Sequence, residues 1–167
     1  MTHYAFDTAG NLISISDPLS HATTYDYDAQ NLVKSITDAE GGVTSFEYRL
    51  DGRLLSVTDP EGNETSYDYN AAGRLTETTD PRGKITTNVY DAANPLTDIY
   101  DRNDRHIQFT YDAADRRTGE TWYDSKSNVV NTVTYEFDLA DRLTLASDDN
   151  ASNGREYWAD GLLKEEQ

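Results

Sequence analysis

The side chains of this chain that could do chemistry are mostly carboxylates. There are 31 Asp and Glu against 14 Lys and Arg, a formal charge of −17, with three His and no Cys. Without thiols there is no disulfide framework, thiol nucleophile or cysteine metal site. Some carboxylate pair will fall at glycosidase spacing by chance, but paired-acid catalysis also needs a cleft and environments that push two pKa values apart. No such feature is announced by the pattern. His3, His21 and His106 are scattered, with no His-x-x-x-His spacing and no serine elbow, and they read as surface or edge residues. The reading is therefore no enzyme and no cofactor. Asp59-Pro-Glu61-Gly-Asn63-Glu64 gathers hard oxygen donors of the kind Ca²⁺ takes. It lacks the alternation of a calcium loop, and turns favour Asp and Asn for their own reasons, so no metal site is expected. Arg53, Arg74, Arg116 and Arg142 each follow a turn residue directly. They could form an anion-binding row; pairing with neighbouring acids, at up to about 1 kcal/mol each when exposed, is the expected arrangement.

Composition points two ways. Leu, Ile, Val and Phe total only 30 of 167 residues, which with the high charge is a disordered signature. Twelve Tyr and two Trp oppose it, because each ring buries a large area. No apolar stretch is long enough to span a membrane, and Met1-Thr2-His3-Tyr4 does not open a signal peptide. The acidity repels phosphate backbones, so neither nucleic acid nor anionic membrane is expected as a partner.

Periodicity decides between order and disorder. Aromatic residues recur at Tyr4, Tyr25, Phe46 and Tyr67, then Asn88 as a substitute, then Phe109, a step of 21. A second ring lies two residues on, at Phe6, Tyr27, Tyr48, Tyr69, Tyr90 and Tyr111. The register then stretches by 26 to Tyr135 and Phe137, and a last partial unit starts near residue 155. The whole chain, 1–167, is one repeat array, with units starting near 4, 25, 46, 67, 88, 109, 135 and 155.

Each unit reads as a β-hairpin. After the second ring comes a four-residue connection such as Asp7-Thr-Ala-Gly10 or Asn70-Ala-Ala-Gly73. Its last position is always Gly, Asn or Asp: Gly10, Asn31, Gly52, Gly73, Asn94, Asp115, Asp141 and Gly161. These types tolerate positive φ, and a type I turn closed by a left-handed residue is a common hairpin loop. A second turn class, Asp17-Pro18-Leu-Ser20, Asp59-Pro60-Glu-Gly62 and Asp80-Pro81-Arg-Gly83, has a type I signature. Between turns the segments are rich in Thr, Tyr, Val and Ile, as strands are. The fold expected is all-β, a curved antiparallel meander.

Rings two apart share a face, so Tyr4, Phe6, Tyr25, Tyr27, Phe46, Tyr48, Tyr67, Tyr69, Tyr90, Phe109, Tyr111, Tyr135 and Phe137 form a ladder. They are expected to be the core, in place of missing aliphatics; the other reading is a sugar-stacking platform. Leu54 and Val57, or Leu12 and Ile15, are three apart and cannot share a face of a regular strand. A bulge, or apolar groups on both faces, would resolve this. The irregular longer hairpin, 117–135, carries Trp122 and Tyr123 around an Asp-Ser-Lys-Ser-Asn turn. A protruding binding loop and a plain cover for the strip's end are equally good readings of it.

The run Tyr67-Asp-Tyr69-Asn-Ala-Ala-Gly73-Arg74-Leu75-Thr-Glu-Thr-Thr-Asp80-Pro81-Arg-Gly83 resembles the YD repeat of Rhs proteins. Related repeats occur in bacterial wall-associated toxins, insecticidal toxin-complex C subunits and the teneurins. The resemblance implies a β-strip spiralling into a hollow shell, secreted or at the cell surface, which in the toxins encloses a C-terminal effector. No self-cleavage signature or effector domain is found before Gln167, so the chain reads as a wall segment. Its expected partners are further repeats or an encapsulated toxin domain of a longer parent. An open strip has two unpaired edges, so edge-to-edge self-association, or ends covered by the Tyr4 and Trp122–Trp158 regions, is expected. The alternative is an extracellular adhesion module binding glycan or protein through its rings.

Overall fold

Segments of Thr and aromatic residues, set between turn-forming quartets, favour a backbone that extends, reverses and pairs. The computed structural model describes residues 1–93, 95–148, 152–157 and 162–166. Among these are sixteen strands and no helix, in two compact units, 1–84 and 85–167. In the first unit β1 (His3–Phe6), β2 (Leu12–Ser16), β3 (Ala22–Tyr27), β4 (Val33–Thr37), β5 (Val43–Tyr48), β6 (Leu54–Thr58), β7 (Glu64–Tyr69) and β8 (Leu75–Thr79) form an antiparallel meander in sequence order. In the second, β9 (Ile85–Tyr90), β10 (Leu96–Tyr100), β11 (His106–Tyr111), β12 (Arg117–Tyr123), β13 (Val129–Phe137), β14 (Leu143–Ser147), β15 (Ser152–Tyr157) and β16 (Leu163–Glu166) do the same. The all-β hairpin array read from the period is what the chain forms.

Each hairpin closed by the first turn class carries a bulge beside its loop. Tyr48 faces Leu54 but Glu47 faces Ser56, which leaves Leu55 as the extra residue. Ile13, Lys34, Thr76, Thr97, Thr118 and Thr144 take the same place in their hairpins. The bulge resolves the three-residue spacing. Leu54 lies opposite Tyr48 and Val57 opposite Phe46, so both aliphatics join the ring face. Leu12 and Ile15 join it opposite Phe6 and Tyr4 in the same way.

Burial departs from the expectation of a ring core. Strands contact only their sequence neighbours among the described residues, so within a unit no second layer closes over either face. No hydrophobic side chain is buried there. The ladder rings from Tyr25 to Phe137 are half-buried between side chains of flanking strands. Tyr4 and Phe6 are each 60% exposed on β1, which has β2 as its one described partner. Among the described residues the two buried ones, Ser56 and Gly119, stand at equivalent positions three periods apart, beside the bulge. A Cβ at Gly119 would meet Thr110 Oγ1 at 2.9 Å and the Val133 carbonyl oxygen at 3.2 Å, so that rung has room only for a very small residue. No helix of the described chain is long and apolar enough to cross a membrane.

Candidate functional site

The repeating feature is the loop. Both turn classes share one device, an Asp or Asn whose Oδ1 accepts two backbone N–H groups, from the second and fourth residues on; the loop opened by Arg49 lacks it, and Asp91 accepts one amide because Pro95 has no N–H. Asp28 accepts from Gln30 and Leu32, at 2.8 and 2.9 Å. Asp59 accepts from Glu61 and Asn63, at 3.0 and 2.8 Å. In both classes the fourth residue takes positive φ and its N–H bonds the carbonyl of the first. Gly10, Asn31, Gly52, Gly73, Asp115 and Asp141 sit at this position in the first class; Asn94 and Gly161 lie outside the described residues. In the second class it is held by Ser20, Gly41, Gly62, Gly83, Asp104 and Ser127. Sequence reading assigned no positive φ to Ser20, Asp104 or Ser127, because Ser is not a left-handed type and Asp104 lies in a loop without Pro or Gly.

The other carboxylate oxygen commonly takes a side-chain donor four residues on. That donor is Asn11 for Asp7, His21 for Asp17, Asn63 for Asp59, Arg116 for Asp112, Asn128 for Asp124 and Arg142 for Asp138. These donors, helped by the turn amides, hold the six carboxyls below their ordinary pKa. Within the run Asp59, Glu61, Asn63 and Glu64, Asp59 is thus committed to its own loop. No cluster of metal-binding side chains is found among the described residues.

Hairpins are joined by two further sets of contacts. Tyr27, Tyr48 and Tyr111 donate their hydroxyls to the carbonyls of Leu12, Val33 and Leu96, at 2.8, 3.0 and 2.7 Å, each fifteen residues back. The second ring of a repeat thereby reads the first residue of the previous hairpin's return strand. Along the loop edge, Asn11 Nδ2 donates to Asn31 Oδ1 at 2.9 Å. Arg116 Nη1 donates to the Asp138 carbonyl and to Asp141 Oδ1, at 3.2 and 2.7 Å. Arg53 pairs with Asp51 at 2.6 Å and lies against Gly73, where any Cβ would overlap its guanidinium. Arg142 pairs with Asp138 at 2.7 Å. Arg53, Arg116 and Arg142 are thus tied to acids, and the first two also bridge hairpins.

The hairpin after Phe109 differs. Where β1–β2, β3–β4 and β5–β6 put two aliphatics opposite the rings, it has Arg117 opposite Tyr111 and Glu120 opposite Phe109. Glu120 accepts from Arg117 Nη1 at 2.7 Å, Tyr135 OH at 3.0 Å and Trp122 Nε1 at 3.1 Å. Burial pushes the Glu120 pKa up, but those three donors outweigh it and the carboxyl sits below its ordinary value. Burial, then the bond to Glu120, raises Tyr135. The Arg117 guanidinium lies 4.8 Å from the Phe109 ring centroid. Beyond this cluster, β12 and β13 extend to the Asp124–Asn128 loop, and a second bulge at Trp122/Tyr123 leaves Val130 unpaired. Tyr123 stacks on His106, which stacks on Tyr100, with centroids 4.8 and 4.4 Å apart. His106 Nε2 also lies 2.7 Å from Asp98 Oδ1. Sequence reading took His106 for a surface or edge residue, but it is half-buried on a strand paired on both sides; writing out the register, which sets it opposite Tyr100 and Tyr123, is the signal that finds it.

Residues 6–43, 50–85 and 90–121 match the family model described as RHS Repeat. The chain belongs to the RHS repeat family. Among solved structures it is similar to TcdB2-TccC3, with a TM-score of 0.75 and 18% identity over 93% of this chain and 10% of that one. TcdB2-TccC3 without its hypervariable C-terminal region gives a TM-score of 0.69 and 16% identity over 93% of this chain and 11% of that one. At these identities the likeness is one of fold, and the chain spans about a tenth of each. No curated protein sequence matches it. The third RHS repeat match ends at residue 121, one short of Trp122. The family match therefore ends inside β12, within the long hairpin.

Proposed function

We propose that the chain is a non-catalytic stretch of wall in an RHS-type shell that encloses a C-terminal toxin domain of a longer protein, secreted or displayed at the cell surface. The observation that carries this reading is the fifteen-residue link, by which a hairpin fastens onto the one before through a phenol and a backbone carbonyl. A wall assembled from such local links can lengthen without a deep core, since each unit needs only its neighbours. Further repeats would pair with the open edge of β1. The test is limited proteolysis of the protein encoded by the full reading frame. A downstream domain should resist digestion in the intact protein and be cut once the wall is opened by Gly73→Val. A reading frame with no downstream domain, or one cut as fast as the isolated domain, overturns the proposal.

A second reading, an adhesion module recognising glycan or protein, draws on Tyr100 and Trp122, 45% and 41% exposed. Interior ladder rings support it less, because the Tyr27, Tyr48 and Tyr111 hydroxyls are already engaged. Ring emission that responds to a glycan panel, with the downstream domain unprotected, would favour this reading over the wall.

A further inference from the structure

The run Asp59-Pro-Glu61-Gly-Asn63-Glu64 belongs to no metal-binding cluster among the described residues, but it opens another pattern. Asn63 is followed two residues on by Thr65, with Glu64 rather than Pro between them, which is the acceptor pattern for an asparagine-linked glycan. Glu61 adds an acid two residues before the asparagine. Asn150 has both features as well, with Asp148 before it and Ser152 after, but residues 149–151 lie outside the described ones. So short a pattern arises easily by chance, and placement on a surface loop has to decide. The Asp59 loop has that placement. Asn63 closes the turn between β6 and β7, and residues 60–64 are all exposed. Gly62 ahead of it holds φ +83°, and a Cβ there would meet nothing within 4 Å. Every hydrogen bond of Asn63 among the described residues runs to Asp59. Its N–H reaches Oδ1 at 2.8 Å, its Nδ2 reaches Oδ2 at 2.8 Å, and its carbonyl accepts from the Asp59 N–H at 3.0 Å. A side-chain amide carries two hydrogens. One stays on Asp59 and the other is free to be replaced by a sugar, so a glycan leaves the bonding of the loop intact.

We infer that Asn63 is a glycan acceptor, modified while the chain is still unfolded during export and left with its sugar on the loop between β6 and β7. For its natural occurrence this rests on the reading of the chain as secreted or displayed. The timing follows from Thr65, which lies on β7 opposite Val57 and is half-buried. A transferase has to reach that hydroxyl, and pairing of β7 with β6 covers it. In the reaction Asn63 Nδ2 attacks the anomeric carbon of a lipid-linked oligosaccharyl pyrophosphate. An N–C bond forms, the C–O bond to the pyrophosphate breaks, the lipid pyrophosphate leaves with the electron pair, and one amide proton passes to solvent. Glu61 offers its charge to a transferase that reads an acid at that position. Asn128 is the internal control. It closes the Asp124 loop with the same bond, Nδ2 to Oδ2 at 2.9 Å, but has Val130 two residues on and Lys126 two residues before.

The test places the full chain, carrying Asn150→Gln, behind a cleavable export signal in a bacterial host. That host supplies an acid-requiring oligosaccharyltransferase and its lipid-linked sugar. Because the signal is supplied, the site is tested apart from whether the natural protein is secreted, which fractionation of its own host decides. Intact mass should rise by one glycan, mapped by peptide sequencing to Asn63 and not to Asn128. Thr65→Val should lose the glycan, Thr65→Ser should keep it, and Glu61→Gln should lower occupancy at least about fivefold. Purified chain that has already folded, given enzyme and sugar afterwards, should be modified at least about tenfold more slowly, since the β6–β7 pairing must open first. The circular dichroism melts of the glycosylated and bare chains should coincide. The inference is overturned by an unchanged mass, by a glycan that persists in Thr65→Val, or by one mapped to Asn128. Full occupancy in Glu61→Gln, or equal modification of folded and exported chain, also overturns it.

Discussion

The β5–β6 and β11–β12 hairpins occupy the same register three periods apart and fill the ring face with different chemistry. In the first, Leu54 and Val57 lie opposite Tyr48 and Phe46. In the second, Arg117 and Glu120 lie opposite Tyr111 and Phe109. Bulge and backbone turn are the same, although Asp112 accepts the amides of the second loop while the first, opened by Arg49, uses Asp51. What differs is how the face is satisfied: the aliphatic pair needs only contact, whereas the ionic pair also needs Tyr135 and Trp122 as donors. The comparison teaches that the repeat specifies where a rung falls and leaves its chemistry open, provided the occupants change as a set. It also links the ionic rung to the long hairpin, because the donors that complete Glu120 come from β13 and from the extended end of β12.

The largest effect should come from breaking that set. Glu120→Val strands the half-buried hydroxyl of Tyr135 and removes the partner of the exposed Arg117 charge, and should cost about 3 kcal/mol in urea unfolding. Arg117→Leu combined with Glu120→Val rebuilds the aliphatic rung of β5–β6 and should recover most of the loss. A double mutant no more stable than the single one would show that the two hairpins are not interchangeable.

Next in size is Gly73→Val in the regular region. It places a β-branched residue at φ +78° and drives a side chain into Arg53, for about 2 kcal/mol by the same measurement. The phenol link should be smaller. Tyr48→Phe removes the bond to Val33 and should cost about 1 kcal/mol. Tyr123→Phe in the long hairpin should cost much less, since Tyr123 OH reaches Gln108 only at 3.5 Å. Equal losses at the two sites would erase the distinction between the regions.

The smallest single-site effect concerns acid. The carboxyls of Asp7, Asp17, Asp59, Asp112, Asp124 and Asp138 have folded pKa values below their unfolded ones. Depressed acids stabilise above the unfolded pKa of about 3.9 and lose that contribution as pH falls through the folded value. Tm should therefore be flat above about pH 5 and decline progressively below it. Asp59→Asn should shallow the decline slightly. A Tm that rises on acidification would contradict the loop chemistry in both regions.

Much of the fold was legible because its signals are local. A 21-residue step in ring positions and a loop ending in Gly, Asn or Asp are properties of a few adjacent residues, and each copy repeats the message. The bulge was legible only as a conflict, the three-residue gap between Leu54 and Val57. Pairing register resolved it by assigning Leu55 as the extra residue. The common geometry of the two turn classes was hidden, since Ser20 and Ser127 hold positive φ through the surrounding loop bonds rather than by their own preference. The His106 stack and the Glu120 cluster were hidden for a different reason. Their members are separated by up to 23 residues and meet across strands.

By itself the sequence determined the hairpin, its period, its turns and which residues share the ring face, because backbone preference and side-chain alternation act over two to five residues. Tertiary structure alone decided how far the rings are covered, which carbonyl each phenol reaches, and that Glu120 is held by three donors. Those outcomes depend on neighbouring strands, and a single layer gives each ring neighbours at its sides but no roof.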